Sequence, residues 1–552
     1  LIPWYRVSNW LWRHGVPVLP KLMWKLQYLS DADFKEMNKP KTRGDNPFPE
    51  TPGLVKSMNI GLVLRTVAHL RPAQVLFQVL RRVHKARFKA LVCPSVEVKP
   101  MVAEPAAKWQ SYDGRRFAFL NIEDEFRGWN NTAHGMLWAY NQNYMDWLCQ
   151  PGMTAAEGAR WIDRFIADMP TNRVGLDPYP IALRAINWVK FFSRFPMEST
   201  AERRDSLYSQ LRLLERKLEY HLLGNHLLED AYALYIGSAY LKDSRMHGRA
   251  SRLLRRQLRG QVLSDGAHYE QSPMYHCILL DRLLDCINAG EGAFVCSVLK
   301  PAAERMLGHL ESIVYADGTI PLLNDSAEGI APEPAAIFAY ARRLGLQWTP
   351  VALGECGYRK FDNTDVEAVV DVGNIKASYQ PGHTHADSLS FELRLGGKPF
   401  VVDTGISTYD KTPRRQRERS TAAHNTVVLA GKSSSEVWGG FRVGRRAKVR
   451  LLRDGETVVA EHDGFGALGM HRRSFSVDND GFHMADHITK PTPATAYLHF
   501  APGVEVAEHT AEKILTTAGV VSVVGADAVE ISDGTVSHDY NRFEAVKIAA
   551  VH

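Results

Sequence analysis

Between about residue 130 and residue 350 the apolar positions recur at steps of three and four. Leu207, Leu211, Leu214 and Leu218 mark one such stripe, Leu253, Leu254 and Leu258 a second, and Leu279, Leu280, Leu283 and Leu284 a third. This spacing places the apolar side chains on one face of a helix. Short polar breaks between such segments predict antiparallel helix pairs in a bundle, a solenoid or a toroid, and the lack of a strict repeat weighs against the solenoid. After about Cys356 the period falls to two: Leu389, Phe391, Leu393 and Leu395 alternate with polar residues, and Gly396-Gly397 reads as a hairpin turn into Phe400-Val401-Val402. Asp454-Gly455 and Asp533-Gly534 read as further turns among the apolar runs Val449 to Leu452, Val458-Val459 and Val520 to Val524. Helices followed by strands predict two domains, the second an antiparallel β-sandwich, with a cleft at their junction.

Upstream, residues 30 to 57 are polar and rich in Pro, Lys, Asp and Gly, as in a linker, and Met58 opens a fresh amphipathic stretch through Leu62, Leu64, Val67 and Leu70. The chain is thus expected to divide into a leader and linker (1–57), a helical domain (58–355) and a strand-rich domain (356–552). Its 552 residues exceed one core, and 45% hydrophobic content excludes disorder throughout. A formal charge of +6 does not identify a nucleic-acid binder, although Arg414 to Arg419 and Arg442 to Arg446 could draw in an anionic polymer locally. The six cysteines form no CxxC pair, which argues against a cysteine zinc site or a disulfide framework. No apolar run is long enough for a transmembrane helix, and residues 1 to 29, broken by Arg13, His14, Pro17 and Pro20, are not a secretory signal.

Three constellations carry candidate chemistry. In Gly224-Asn225-His226-Leu227-Leu228-Glu229 the helical step of three lets Glu229 hold His226 while Asn225 presents an amide beside it; the bland alternative is a solvated polar face. In Asp265-Gly266-Ala267-His268-Tyr269-Glu270-Gln271-Ser272-Pro273-Met274-Tyr275-His276 an Asp-Gly turn leads to a helix opened by Ser272-Pro273, with Tyr275 in its first turn. Beside cationic groups that tyrosine could lose its proton and act as a base; alternatively it is a buried aromatic. In His383-Thr384-His385 an extended backbone would turn the two imidazoles to opposite faces, one toward a metal and one toward a cleft. His385, Asp403 and His424 then supply two nitrogens and an oxygen from successive strands, a zinc-type set that is not diagnostic by spacing alone.

These segments, together with Val402-Asp403-Thr404-Gly405 and Ser420-Thr421-Ala422-Ala423-His424-Asn425-Thr426-Val427, resemble the heparinase II/III superfamily of polysaccharide lyases in residues and in order, from about Met58 onward. Trp138-Ala139-Tyr140-Asn141, Pro178-Tyr179-Pro180, Arg184 and Asn187-Trp188 resemble further family segments. Residues 1 to 57 more faintly resemble the leading segment of bacterial serine acetyltransferase-like proteins. The first resemblance implies an incomplete α/α toroid joined to an antiparallel β-sandwich, and β-elimination on an anionic, uronic-acid-containing polysaccharide such as a bacterial exopolysaccharide or a glycosaminoglycan-like glycan. Asn225 and His226 would neutralise the uronate carboxylate, with Glu229 orienting His226. Tyr275 would be base, acid or both, with Tyr269 the competing tyrosine ranked second, His383 the base for the other sugar epimer, and Tyr409 a further active-site tyrosine. Asn141, Tyr144, Arg184, Asn187, Trp188, Tyr269, Arg415 and Arg419 would meet the substrate. His385, Asp403 and His424 would hold one structural Zn2+. The resemblance also implies work in the periplasm, with the cytoplasm open because no signal is visible. Two rivals from other classes stay open: a zinc-dependent glycan hydrolase, and a non-catalytic glycan-binding envelope protein.

Overall fold

The computed structural model describes residues 60–552 except His84, so the expected leader, linker and Met58 boundary lie outside the described residues. From Met136 to Arg343 the chain is a succession of helices, among them Pro178–Arg194, Ala201–Glu215, Gly224–Tyr240, Ser244–Gln261, Pro273–Ala289 and Lys300–Ile313. Their facing stripes bury Trp138, Trp147, Trp188, Phe192, Leu207, Leu211, Leu254 and Leu283 in one core, each large apolar side chain contributing about 1.5–3 kcal/mol. Close approach of two of these helices depends on Gly237, where a Cβ would stand 2.5 Å from Leu211 Cδ1. Among the described residues no helix is long and apolar enough to cross a membrane.

Strands take over at Tyr358. One antiparallel sheet runs Tyr358–Asp362, Val366–Asp371, Phe391–Leu395 and Lys398–Val401 in that order; another is Val449–Arg453, Thr457–His462, His471–Asp478 and Gly481–Ile488. A third places Val427–Leu429 beside Ala494–His499, Glu544–Val551 and Val529–Val536. Phe391, Phe400, Val449, Phe475, Leu498, Phe500 and Val536 from these sheets share one apolar core, which makes the region a sandwich. The fold is therefore an incomplete α/α toroid followed by an antiparallel β-sandwich, within one compact unit spanning Ile60–His552.

Gly396 and Gly397, both at positive φ, form the expected hairpin turn that pairs Leu395 with Lys398. Asp533-Gly534 does not turn: it lies inside strand Val529–Val536, where Gly534 pairs with Val546 and a Cβ would meet Ile548 Cδ1 at 2.2 Å. The glycine there serves close cross-strand packing, a role that an Asp-Gly pair does not reveal locally. Gln271 stitches the helical and strand-rich parts together, donating to Cys356 O at 2.6 Å and accepting from Lys376 N at 2.8 Å.

Candidate active site

Helix Gly224–Tyr240 opens at a glycine for a steric reason. A Cβ at Gly224 would fall 2.4 Å from Glu270 Oε1, and Glu270 needs that space to receive the backbone N–H of Asn225 at 3.0 Å and its Nδ2 at 2.8 Å. A carboxylate at a helix N-terminus is favourably placed, and here it also fixes the Asn225 amide 3.3 Å from His383 Nε2. The next residue, His226, is half-buried against Tyr179, ring centroids 4.7 Å apart.

The partner of His226 is Glu219, whose Oε2 lies 3.0 Å from Nδ1, and not Glu229. Burial alone would lower the pKa of His226, but Glu219 outweighs it and the imidazole is shifted toward its charged form. Glu229 turns instead into the toroid's interior, fully buried, with its nearest cation Arg282 at 3.8 Å and no hydrogen bond to either oxygen. A three-residue step leaves two side chains on neighbouring rather than identical directions, and Glu219, in the turn ahead of the helix, reaches His226 first. Burial pushes the Glu229 carboxyl up to about 7. The unfolded chain binds that proton only below about pH 4.3, so the stability Glu229 contributes is complete in acid and is lost as pH rises through its folded pKa. Glu229→Gln cannot ionise, and its melting temperature relative to wild type should climb between about pH 5 and pH 8. A constant difference across that range would mean that Glu229 is already charged beside Arg282.

Tyr275 occupies the expected first turn of helix Pro273–Ala289, whose N-cap Ser272 accepts the Tyr275 N–H at 3.1 Å. Its ring stacks on His383 with centroids 3.9 Å apart, and Tyr409 donates to its oxygen at 3.2 Å. The expected deprotonation by cationic neighbours does not hold in the resting site. Burial dominates and pushes the phenol above its ordinary pKa, while Arg415 counteracts only weakly, so Tyr275 rests protonated. Tyr269 does not take the place of Tyr275 against His383: it is buried among Leu223, Leu227 and Ala377, and its oxygen accepts from Tyr379 at 2.9 Å.

His383 and His385 lie in a loop between strands Val366–Asp371 and Phe391–Leu395, and they do not face opposite ways. Both meet Asp325: His383 Nδ1 is 3.0 Å from Oδ2 and His385 Nε2 is 2.8 Å from Oδ1. Arg415 closes on the same carboxylate in a fork, Nη1 to Oδ1 at 2.5 Å and Nη2 to Oδ2 at 2.6 Å. Burial opposes the charge on Asp325, but Arg415 and the two imidazoles hold its carboxyl well below the usual range. Arg415 is therefore committed to a buried ion pair and is not free for a substrate carboxylate. Arg419, equally buried, donates to Thr384 O and Gly439 O, and burial lowers it to about 9. It braces the histidine loop.

Asp403 and His424 are in contact, Oδ2 to Nδ1 at 2.7 Å. They follow and precede strands of different sheets, Lys398–Val401 and Val427–Leu429, rather than successive strands of one. His385 Nδ1 and His424 Nε2 are buried without a hydrogen-bond partner, their rings 5.2 Å apart. Two orphaned imidazole nitrogens fit the donor chemistry of a cation such as zinc, with Asp325 orienting His385 from its other nitrogen; Asp403, which meets His424 at Nδ1 and not at the orphaned Nε2, would have to turn to complete the set. Among the described residues, the group whose donor atoms all fall within 4.8 Å of one another is a different one, Asp265, His309 and Cys356. There Asp265 already accepts from the backbone N–H groups of Gly354 and Cys356.

The other expected substrate contacts divide. Arg184, Asn187 and Trp188 are fully buried. Arg184 donates to Gln210 Oε1, Asn143 O and Gly175 O, Asn187 to Tyr144 O, and Trp188 packs in the helical core, so all three are structural. Asn141 is half-buried with its amide donated to Leu137 O of its own helix. Tyr144 is nearer the chemistry, its ring 5.8 Å from Tyr179, which in turn packs on His226. Glu219, Glu270 and Asp325 went unassigned from the sequence. The polar triplet Asn324-Asp325-Ser326 after Leu322-Leu323 is a signal of something held, but nothing local links it to a histidine 58 positions later.

The arrangement defines a class: a helical toroid and a β-sandwich that bring an asparagine and tyrosine from one side against a histidine from the other. The chain belongs to the heparinase II/III-like family. The family description "Heparinase II/III N-terminus" matches residues 187–335 and "Heparinase II/III-like, C-terminal" matches residues 347–552, together more than half of the chain. Two curated relatives, both called heparin-sulfate lyase, are 23% identical (Bacteroides stercoris; 51% of this chain, 46% of the relative) and 30% identical (Pedobacter heparinus; 37% and 36%). The chain thus spans less than half the length of these relatives. Among solved structures, heparinase III superposes with a TM-score of 0.60 at 15% identity over 87% of this chain and 86% of that one. A heparan sulfate lyase mutant from Pedobacter heparinus gives 0.52 at 18% identity over 87% and 85%. These likenesses establish the shared fold.

Proposed function

We propose that the protein is a polysaccharide lyase that cleaves a uronic-acid-containing glycan by β-elimination. One observation carries this reading: Tyr275 and His383 stack at 3.9 Å with the Asn225 amide 3.3 Å from His383 Nε2, three groups of complementary proton chemistry converging from two sides. The C5 proton of a uronate is hard to remove because the resulting charge falls beside a carboxylate, so donors must hold that carboxylate first. His226, whose charged form Glu219 favours, supplies one donor, and Asn225 Nδ2, at rest given to Glu270 and facing His383 Nε2, supplies the other once the substrate carboxylate displaces one of those partners. With Nδ1–H given to Asp325, His383 Nε2 carries the lone pair and takes the C5 proton. The C5–H electrons form the C4–C5 double bond, the C4–O bond breaks, and the departing glycosidic oxygen takes the proton of Tyr275, which rests protonated. Tyr409, donating to the Tyr275 oxygen, stabilises the phenolate left behind.

Zinc, held by His385, Asp403 and His424, is a structural part of this proposal; these residues are fully buried, which suits bracing the loop better than activating a water for hydrolysis. His424→Ala should yield protein with less than stoichiometric zinc by elemental analysis and a lower melting temperature. Wild-type protein that never carries metal would remove zinc from the account. Heparin sulfate and heparan sulfate, the glycans in the relatives' names, head the panel of uronate polysaccharides to test, with acidic bacterial exopolysaccharides after them. An ultraviolet-absorbing unsaturated product is expected. Saturated fragments would favour a hydrolase, and binding without fragments a glycan-binding protein.

A further inference from the structure

We infer that Asp325 is the positioning residue that aligns His383 with Tyr275 across the junction of toroid and sandwich. Every polar atom of Asp325 is engaged. Its carboxylate receives His383 Nδ1, His385 Nε2 and both terminal nitrogens of Arg415. Its backbone N–H donates to His383 O at 3.1 Å, so ring and main chain of the same histidine are tied to one residue. Its backbone O accepts from Ser272 Oγ at 2.7 Å, and Ser272 is the N-cap of the helix that carries Tyr275. The flanking residues repeat the pattern. Asn324, at φ +55°, accepts the His385 N–H at 3.0 Å and donates to Gln271 O at 3.1 Å. Ser326 Oγ lies 3.1 Å from Ser272 Oγ and accepts the Met274 N–H at 3.3 Å. The tripeptide 324–326 is thus a joint with one side in the histidine loop and the other in the first turn beneath Tyr275, and of its three side chains the Asp325 carboxylate is the one bonded to the reacting imidazole.

The effect of such a joint is geometric. A ring held at one nitrogen and stacked on one face has no free rotation, so Nε2 keeps its place near Asn225, and catalytic groups displaced by about 1 Å can lose about a hundredfold in rate. The kinetic side rests on the lyase reading; the ring geometry does not. The test compares wild type, Asp325→Asn, and the charge-matched Asp325→Asn/Arg415→Gln, which leaves no guanidinium buried without a counter-charge and is read in place of the single variant if that variant does not fold. Two measurements are made: the crystallographic orientation of the His383 ring, and kcat and KM on a polysaccharide that wild type cleaves. The expected result is a His383 ring rotated off Tyr275, with kcat lower by about ten- to a hundredfold and KM within about threefold. A ring that stays stacked with kcat within about threefold of wild type overturns the inference, as does an equal loss in kcat and rise in KM with the ring unmoved. If wild type cleaves none of the panel, the lyase reading fails separately and the ring orientation alone decides the role of Asp325.

Discussion

Tyr275→Phe is expected to lower kcat by about 10²- to 10⁴-fold, the usual worth of a positioned acid or base, with little change in KM. The variant removes one oxygen and leaves the ring, so the stack on His383 at 3.9 Å and the capped first turn of helix Pro273–Ala289 survive. What disappears is the proton for the leaving glycosidic oxygen and the acceptor for Tyr409, which lies 3.2 Å away. The lost hydrogen bond should cost about 1 kcal/mol of stability, small enough to separate a catalytic defect from misfolding in a melting experiment. Substrates with a better leaving group at C4 should be rescued preferentially, because they need less protonation in the transition state. Activity within about threefold of wild type would move both proton transfers to His383 and leave Tyr275 as a stacking platform.

The sequence made the helices and strands legible because their burial follows a local period. Leu207, Leu211 and Leu214 repeat every turn of one helix, and Phe391 and Leu393 alternate along one strand. Tyr275 was legible for the same local reason, since Ser272-Pro273 announces a helix start and its register. Partnerships were less so. Glu229 is three residues from His226 and Glu219 is seven away, yet Glu219 makes the contact, because the turn before the helix folds back over its first residues. Tyr269 and Tyr275 sit in one motif, and only the structure separates a tyrosine sealed among Leu223 and Leu227 from one that meets His383. His383 and His385 were expected to part because an extended strand would part them; the backbone there is a loop, and a carboxylate from the helical side draws both rings together. Such a contact, between residues 58 and 60 positions apart, leaves no mark on either local pattern.

Arg415 shows what that difference means for experiment. A surface arginine that grips a substrate carboxylate would, on truncation, raise KM and leave stability within about 0.5 kcal/mol. The buried fork on Asp325 predicts the opposite: Arg415→Ala should destabilise the protein by about 3–5 kcal/mol, since it strands a carboxylate in the interior with only two imidazoles for company. Arg415→Lys keeps the charge but not the fork, and should recover part of that loss. The double-mutant cycle with Asp325→Asn gives the sharper reading. If the two side chains form one buried unit, removing the guanidinium from a chain that already lacks the carboxylate charge should cost far less than removing it from wild type, leaving a coupling energy in the range of about 0.5–3 kcal/mol or more. Additive losses, or a variant as stable as wild type with a raised KM, would return Arg415 to the substrate and leave Asp325 paired through its histidines alone.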